Sequence, residues 1–344
     1  MVSIIEQRKK EHIALCVGKD VSFDKKTTLL ENVELHYNNL PEINFNDVNL
    51  STNFLGKNFS FPFIVSAITG GAQISKKINL DIAKACQEKG IGMGLGSMRA
   101  MIEDPKLTDT YNVRDVAPDI FLAGNIGAAQ IKEYSPQQLN DAVEKLGLDA
   151  LAIHINAAQE AMQPEGDLDF SEVIKQIELY NKEIMVPIYV KEVGHGISFE
   201  TASVLEKIGV KAIDVQGAGG TSWTYIDALR KKTGLKETFR DFGLPTAISI
   251  IETKNAFSGK IIGSGGIRSG LDAVKAIVLG SDMVGNAMPI LKAQQKSYSS
   301  LINYLENFQK EMKVTSFLLG CKTIDELQQQ EYVVLGKLKD WLNQ

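Results

Sequence analysis

From residue 61 onward, short runs rich in β-branched and aromatic residues alternate with longer stretches whose apolar residues recur at helical spacing. The runs fall at 61–67, 92–95, 120–123, 150–155, 187–190, 212–215, 260–263 and 283–285, eight in all. Between them lie amphipathic stretches such as 76–89, 136–146, 170–180, 199–208 and 271–279. Alternating β and α segments imply a parallel sheet, and eight such units close most naturally into an α/β barrel, the (β/α)8 TIM barrel, with strands hidden on both faces and helices outside. A doubly wound open sheet would carry its phosphate loop after the first strand as a G-x-G-x-x-G turn. Here Gly92, Gly94 and Gly96 are spaced differently and sit in or at the end of the second strand, where small residues let backbone or a ligand approach closely.

This reading gives a single domain over residues 1–344. Residues 1–60 form an N-terminal extension, in which the asparagine-rich stretch 38–53 is expected as loop and short strand capping the bottom of the barrel. Residues 61–290 carry the barrel strands and 291–344 the C-terminal helices. The longest insertion, 221–256, follows the sixth strand, and long ordered loops on that rim tend to carry function. No linker rich in Gly, Pro or Ser marks a second domain.

With 44% hydrophobic and 23% charged residues the chain can bury a large core. A net charge of −5 and the lack of a long basic tract argue against nucleic acid as the main ligand. An anionic ligand would need local cations, and Arg8, Lys9, Arg99, Lys191 and Arg268 are available. Cys16, Cys86 and Cys321 are scattered and odd in number, which fits reduced thiols in a cytosol better than disulfides or a metal cluster. Residues 1–12 are too charged for a secretory signal and no later stretch approaches a membrane span, so a soluble cytoplasmic protein is expected.

Barrels of this type bind at the C-terminal ends of their strands and often hold a phosphate after the seventh and eighth. After the seventh run comes Gly263-Ser264-Gly265-Gly266-Ile267-Arg268, a glycine-rich turn entering a helix, where backbone N–H groups and the helix dipole favour an anion. After the eighth, Gly285-Asn286-Ala287-Met288 opens the next helix. One such turn alone could simply end a strand, but two side by side in the phosphate position point to a phosphorylated ligand. The other strand ends are polar in a way core packing does not require: Thr69-Gly70-Gly71, Ser97-Met98-Arg99, Asn125, His154, Gln159-Glu160, Lys191, Gln216 and Thr221. Lys191 directly follows the apolar Ile188-Tyr189-Val190, where a charge is costly unless paired. A pair with Glu192 is the plain alternative, although strand neighbours point to opposite faces. His154 reads equally as a satisfied core histidine or as a catalyst. Glu160 reads as a helix-surface carboxylate or, facing a phosphate pocket, as a magnesium ligand. Arg8-Lys9-Lys10-Glu11-His12 by itself reads as a solvated helix face.

Together these strings resemble the type 2 isopentenyl-diphosphate isomerases. They are RKKEHI at 8–13, ITGG at 68–71, GMGLGSMR at 92–99, AGNIG at 123–127, HINAAQE at 154–160, VKEVG at 190–194, GAGGTSW at 217–223 and GSGGIR at 263–268. GGIR is shared with other FMN barrels, whereas RK-x-EH with the Gln-Glu pair is specific to this family. The resemblance implies FMN, active in its reduced form, held at Ala67, Ile68, Thr69, Ser97, Asn125, Lys191 and Thr221, with its phosphate at Gly265, Gly266, Ile267, Arg268, Ala287 and Met288. It implies that Arg8, Lys9, Ser97, Met98, Arg99 and Gln159 contact a prenyl diphosphate and that Glu160 binds the Mg2+ chelated by it. At Met98 only a backbone contact carries over, because many relatives have Gln there. NADPH as reductant and a homo-oligomer, tetrameric or octameric, are implied too.

The implied reaction converts isopentenyl to dimethylallyl diphosphate without net redox change. Protonating an isolated alkene creates a tertiary cation that needs an electron-rich face and dry walls. Reduced flavin offers that face and a ring nitrogen able to act as acid and base, so the protein groups His154, Gln159 and Lys191 are assigned supporting roles. The rival on the same barrel is a 2-hydroxy-acid oxidase, which pairs a His base with an Arg near the sixth and seventh strands. Here that region reads Gln216-Gly217-Ala218-Gly219-Gly220-Thr221, with no histidine and no cysteine for an inosinate-dehydrogenase-like nucleophile. A non-catalytic flavin carrier is the remaining rival, and it would have no use for Arg8, Lys9, Gln159 and Glu160.

Overall fold

The computed structural model describes residues 4–163, 165–231, 235 and 237–343, so residues 232–234 and 236 of the 221–256 insertion lie outside the described residues. Eight parallel strands close into a barrel: β1 (Phe63–Val65), β2 (Gly92–Gly94), β3 (Leu122–Gly127), β4 (Ala150–His154), β5 (Ile188–Lys191), β6 (Ala212–Asp214), β7 (Lys260–Ser264) and β8 (Met283–Asn286). They follow one another around the barrel in chain order, and β8 closes on β1 with Val284 opposite Phe63 and Asn286 opposite Val65. The expected (β/α)8 barrel is what forms.

The strands show no polar–apolar alternation because both faces are covered. All six residues of β3 are buried, as are all of β1, β2, β5, β6 and β8. Gly96, just beyond β2, shows why the second run is glycine-rich: a Cβ there would lie 2.4 Å from the Thr69 carbonyl carbon. At β5 the expected run 187–190 shifts by one residue. Lys191 is its last member, laddered between His154 and Asp214, so the polar layer begins inside the strands and not after them.

The outer helices are delimited by local chemistry. Pro136–Leu146 starts on a Ser135–Gln138 capping box and stops at Gly147, whose φ is +59°. The long C-terminal helix Tyr298–Leu318 buries Leu301, Leu305, Phe308 and Met312, a helical stripe, and Phe308 meets Phe63 of β1 at 4.8 Å between ring centroids. Each of these side chains contributes about 2 kcal/mol by burial. Past it, the strand Tyr332–Val334 pairs antiparallel with Val33–Leu35, an element not expected from the helical pattern of 291–344.

The N-terminal extension divides between the two ends of the barrel. Helix Ile4–Gly18 and the segment after it lie at the C-terminal rim, where Ser22 bridges Thr221 and the Phe23 N–H donates to the Gly220 carbonyl at 3.2 Å. The bottom cap is the hairpin Thr52–Phe54 and Lys57–Phe59, which stacks Phe54 and Phe59 on Phe121. The asparagine-rich stretch runs mainly along the C-terminal helical segment, with Asn38 N–H bonded to the Leu318 carbonyl and Asn49 N–H to that of Lys322. Its asparagines close their own turns: Asn38, Asn44 and Asn49 side chains accept from the N–H two residues on. Among the described residues no helix is long and apolar enough to cross a membrane.

Candidate active site

A single cavity at the C-terminal mouth gathers the predicted residues. Arg8, Lys9, Ala67, Ile68, Thr69, Ser97, Arg99, Asn125, His154, Gln159, Glu160, Lys191, Thr221, Gly265, Gly266, Ile267, Arg268, Ala287 and Met288 all line it. Met98 does not line it. It is fully buried, its N–H donates to the Asn125 carbonyl at 2.7 Å, and its carbonyl accepts from Met101 and Ile102. Its side chain packs toward Gly124 on β3, so neither its side chain nor its backbone is turned to the mouth.

The glycine-rich turn after β7 is a cradle only glycine can make. Gly265 and Gly266 have φ of +96° and +71°, and a Cβ on Gly265 would stand 2.1 Å from the Gly217 carbonyl oxygen. The next helix, Gly270–Val278, does not itself present an open N-terminus. Ser269 and Asp272 cap it reciprocally, and Asp272 takes the N–H groups of Arg268 and Ser269. The helix Met288–Lys296 differs, because its N-cap Ala287 has no capping side chain and Pro289 lies in the first turn. Its leading backbone faces the cavity beside the cradle, an arrangement suited to a phosphate. Asn286 adds a buried side-chain oxygen with no partner among the described residues. These features fit the phosphate end of an FMN.

Below the cradle lies a polar layer. His154, ending β4, bonds through Nδ1 to Asn125 Oδ1 at 2.8 Å. Burial, and then the positive charges of Lys191, Lys9 and Arg8, hold its imidazole well below the usual range, so it is neutral. Lys191 is 5% exposed, and its ammonium donates to the Glu192 main-chain carbonyl at 2.7 Å. The Glu192 carboxylate points away and accepts the N–H groups of Val193, Gly194 and His195. The counter-charge of Lys191 is instead Asp214, level with it on β6 and buried. Burial lowers the Lys191 pKa and the two carboxylates oppose that. Asp214 carried the same signal as Lys191, a charge inside the apolar run Ala212-Ile213-Asp214-Val215, and was missed. Gln216 sits at φ +40°, a strained position for a side-chain-bearing residue, and donates to Asp214 and Ser66.

The opposite side of the cavity is built from outside the barrel frame. The helix Ile4–Gly18 brings Arg8, which donates to Gln163 Oε1 at 3.2 Å, and the half-buried Lys9. Arg99, at the head of the short helix Arg99–Glu103, pairs with Glu103 at 2.7 Å. Gln159 donates to Asp227 of the insertion helix Trp223–Lys231 at 3.0 Å. Asp227 also accepts from His12 and Arg230, each at 2.9 Å. Burial works against its carboxylate, but those hydrogen bonds outweigh it and hold its pKa below the usual range. His12 was present in the N-terminal motif without being singled out, and Asp227 was not singled out at all.

Glu160, in helix Ala157–Met162, is 7% exposed and no surface carboxylate. It accepts from Asn156 Nδ2 at 2.8 Å and the Asp167 N–H at 2.9 Å. The other amide atom of Asn156, Oδ1, is buried without a partner among the described residues. Among the described residues no three His, Cys, Asp or Glu side chains cluster as a metal site. A hard cation here would rest on Glu160, amide oxygen and oxygens brought by its ligand, a donor set that suits Mg2+. The three cysteines are free and buried, and burial pushes the Cys16 thiol up to about 12, so none is a thiolate nucleophile.

The chain is similar to known proteins over nearly its whole length. The family described as FMN-dependent dehydrogenase matches residues 3–108 and 123–334. The isopentenyl-diphosphate delta-isomerase of Methanocaldococcus jannaschii is 45% identical over 99% of this chain and 97% of its own length. Those of Methanothermobacter thermautotrophicus and Pyrococcus abyssi are 44% and 42% identical, over 99% and 98% of this chain and 97% and 94% of their own. Among solved structures, a mandelate oxidase variant matches with a TM-score of 0.69 at 16% identity, over 96% of this chain and 99% of that one. A flavocytochrome b2 variant gives 0.69 at 20% identity over 97% of this chain and 86% of that one. At such identities these two share the fold alone.

Proposed function

Since the chain belongs to the isopentenyl-diphosphate delta-isomerases within the FMN-dependent dehydrogenase family, we propose that it converts isopentenyl diphosphate to dimethylallyl diphosphate on bound, reduced FMN, with Mg2+ on the diphosphate. The observation that carries this reading is that one cavity is lined by two separate groups, each suited to an anion. The first is the glycine cradle and uncapped helix start at 265–268 and 287–288. The second is the cation set Arg8, Lys9 and Arg99 with Glu160, contributed largely from outside the β7–β8 rim. A cofactor phosphate accounts for one, and a substrate diphosphate with its metal accounts for the other.

When bound, the reduced flavin supplies an electron-rich face and a ring nitrogen for proton transfer. The chain does the rest. Arg8, Lys9 and Arg99 hold the diphosphate away from the reacting carbons, so that binding energy is used for orientation. Glu160 and Asn156 offer oxygens to the Mg2+. Neutral His154, its Nδ1 engaged by Asn125, keeps Nε2 for a hydrogen bond to the ligand. Gln159 is fixed by Asp227 at the cavity wall, where it would meet the substrate. The helix Ile4–Gly18 walls one side of the cavity through Arg8, Lys9, His12, Ile13 and Cys16 and would help keep water from the reacting carbons. NADPH as reductant, a tetramer or octamer, and cytoplasmic residence belong to the same proposal and follow from family membership alone.

An oxidase of 2-hydroxy acids on the same barrel is disfavoured by the turn after β6, where Gln216, bonded to Asp214 and Ser66, leads into glycines in place of a histidine base. The test is anaerobic turnover of isopentenyl diphosphate by the purified chain with FMN, Mg2+ and dithionite or NADPH, against an oxidised-flavin control. Dimethylallyl diphosphate formed only under reducing conditions supports the proposal. Bound flavin without product refutes it.

A further inference from the structure

One buried charge has no part in the chemistry above. Asp214 ends β6 at 2% exposure, opposite Lys191 in the β5–β6 ladder. One carboxylate oxygen is bonded to the Ser264 hydroxyl, and the other accepts Gln216 Nε2 at 2.9 Å. The same Nε2 reaches Ser66 Oγ at 3.1 Å. Lys191, Gln216 and Ser66 line the cavity while Asp214 lies just behind them. The groups facing Asp214 are Lys191 and Tyr189 from β5, Gln216 beyond its own strand, Ser264 of β7 and Ser66 after β1. Glu192 bonds Lys191 through its main-chain carbonyl and acts on it through its carboxylate, which is held by the N–H groups of Val193, Gly194 and His195, and His154 beyond Lys191 is neutral. Lys191 and Asp214, opposite one another in the β5–β6 ladder, carry formal charges that sum to zero, and the Glu192 carboxylate acts on Lys191 from beyond the end of β5.

A pair summing to zero suits an oxidised, uncharged ring. Placing an electron pair on that ring adds a negative charge in the same dry space, where charge is poorly screened. The network around Asp214 tolerates a proton in answer. The Ser264 hydroxyl that donates to a carboxylate can instead accept from a carboxylic acid, and Gln216 remains a donor to the other oxygen. Burial already pushes the Asp214 carboxyl above the usual range, with Lys191 the main opposing influence.

We propose that Asp214 takes up a proton when FMN in this cavity is reduced, leaving the Lys191 ammonium to face an anionic reduced flavin above a neutral carboxylic acid. The inference rests on the flavin reading of the site. A two-electron reductant gives the flavin its electron pair, the flavin binds one proton to become the anionic reduced form, and Asp214 binds a second from solvent. The balance is two electrons and two protons, and no bond of the protein breaks.

The experiment uses the full chain loaded with FMN and reduced anaerobically with dithionite. The ultraviolet–visible spectrum identifies the reduced flavin as anionic, the reduced-minus-oxidised infrared spectrum is recorded, and the midpoint potential is measured against pH. Reduction is expected to raise a carboxylic-acid C=O band that shifts in D2O and is missing in Asp214→Asn. The midpoint is expected to fall by about 59 mV per pH unit in the wild type and about 30 mV in Asp214→Asn, two protons against one per electron pair. No such band, a slope of about 30 mV in the wild type, or a band that survives Asp214→Asn overturns the proposal. Should Asp214→Asn fail to fold, Ser264→Ala must shift the band by removing its hydrogen-bond partner, and an unmoved band is equally fatal. A chain that takes up no FMN overturns the flavin reading beneath it as well, whereas turnover without the band overturns the Asp214 proposal alone.

Discussion

The substrate side of the cavity is tested most sharply through Lys9. It lies half-buried in the helix Ile4–Gly18 beside Arg8, and among the described residues no carboxylate pairs with it. Loss of surrounding water, and then repulsion from Arg8, push its ammonium from 10.5 down to about 8. The sign follows directly. Below about 8 the folded enzyme carries the charge, and above it the charge is lost although the unfolded chain would keep it to 10.5. A diphosphate binds the charged form, and ionisations of the free enzyme appear in kcat/KM. About nine-tenths of molecules carry the ammonium at pH 7 and about one-tenth at pH 9, so kcat/KM falls about tenfold over that interval, worth about 1.4 kcal/mol. Lys9→Arg keeps its charge throughout, because a guanidinium titrates only above about 12, and its profile stays flat even if its level changes. The assay is initial-rate kinetics on isopentenyl diphosphate with pre-reduced FMN in overlapping buffers. A flat wild-type profile to pH 9, or the same fall in Lys9→Arg, refutes the reasoning.

Gly265→Ala places a Cβ 2.1 Å from the Gly217 carbonyl oxygen at a φ of +96°, so the purified variant should carry less than a tenth of the wild-type flavin by absorbance, and a normal flavin content would sink the cradle assignment. Arg99→Ala and Glu160→Ala should raise KM or lower kcat strongly while leaving bound flavin intact; variants that lose FMN yet show normal kinetics on reconstitution would reverse the division of the cavity. Asp227→Ala leaves His12, Arg230 and Gln159 without their shared acceptor at a fully buried position, and should cost about 3–5 kcal/mol in urea unfolding, a loss under about 1 kcal/mol showing that the network is not structural.

The barrel was readable in the sequence because its signal is local. Each unit shows a short apolar run followed by a helical stripe, and eight repeats leave little choice of architecture. What escaped was non-local. The Tyr332–Val334 strand pairs with a partner some three hundred residues earlier, and nothing within three residues announces that. The site divides in the same way. Lys191, the glycine turn at 263–268 and the helix start at 287–288 were legible because a charge or a glycine at a strand end breaks the local pattern. Met98 was misplaced because its neighbours Ser97 and Arg99 face the cavity, while Met98 itself turns inward to pack toward Gly124. Asp227 was invisible because a carboxylate on an amphipathic helix reads as solvated until the Ile4–Gly18 helix is seen to cover it.

That division also explains how one frame carries chemistry of its own. The cradle and the uncapped helix start belong to β7 and β8, the part fixed by barrel closure. The cations proposed to hold a diphosphate come mainly from a helix outside the barrel, and among the described residues that helix is tied down by side chains: Arg8 to Gln163, His12 to Asp227, and Glu11 to Arg230 at 3.0 Å. Its partner helix Trp223–Lys231 is itself an insertion after β6. The barrel can therefore be kept while the cover is exchanged, because few backbone bonds join them beyond the bridge at Ser22 and Thr221 and the Phe23–Gly220 bond. On the proposed reading, specificity rests on the added helices and cofactor binding on the closed sheet, and a variant's effect should follow from which of the two its side chain belongs to.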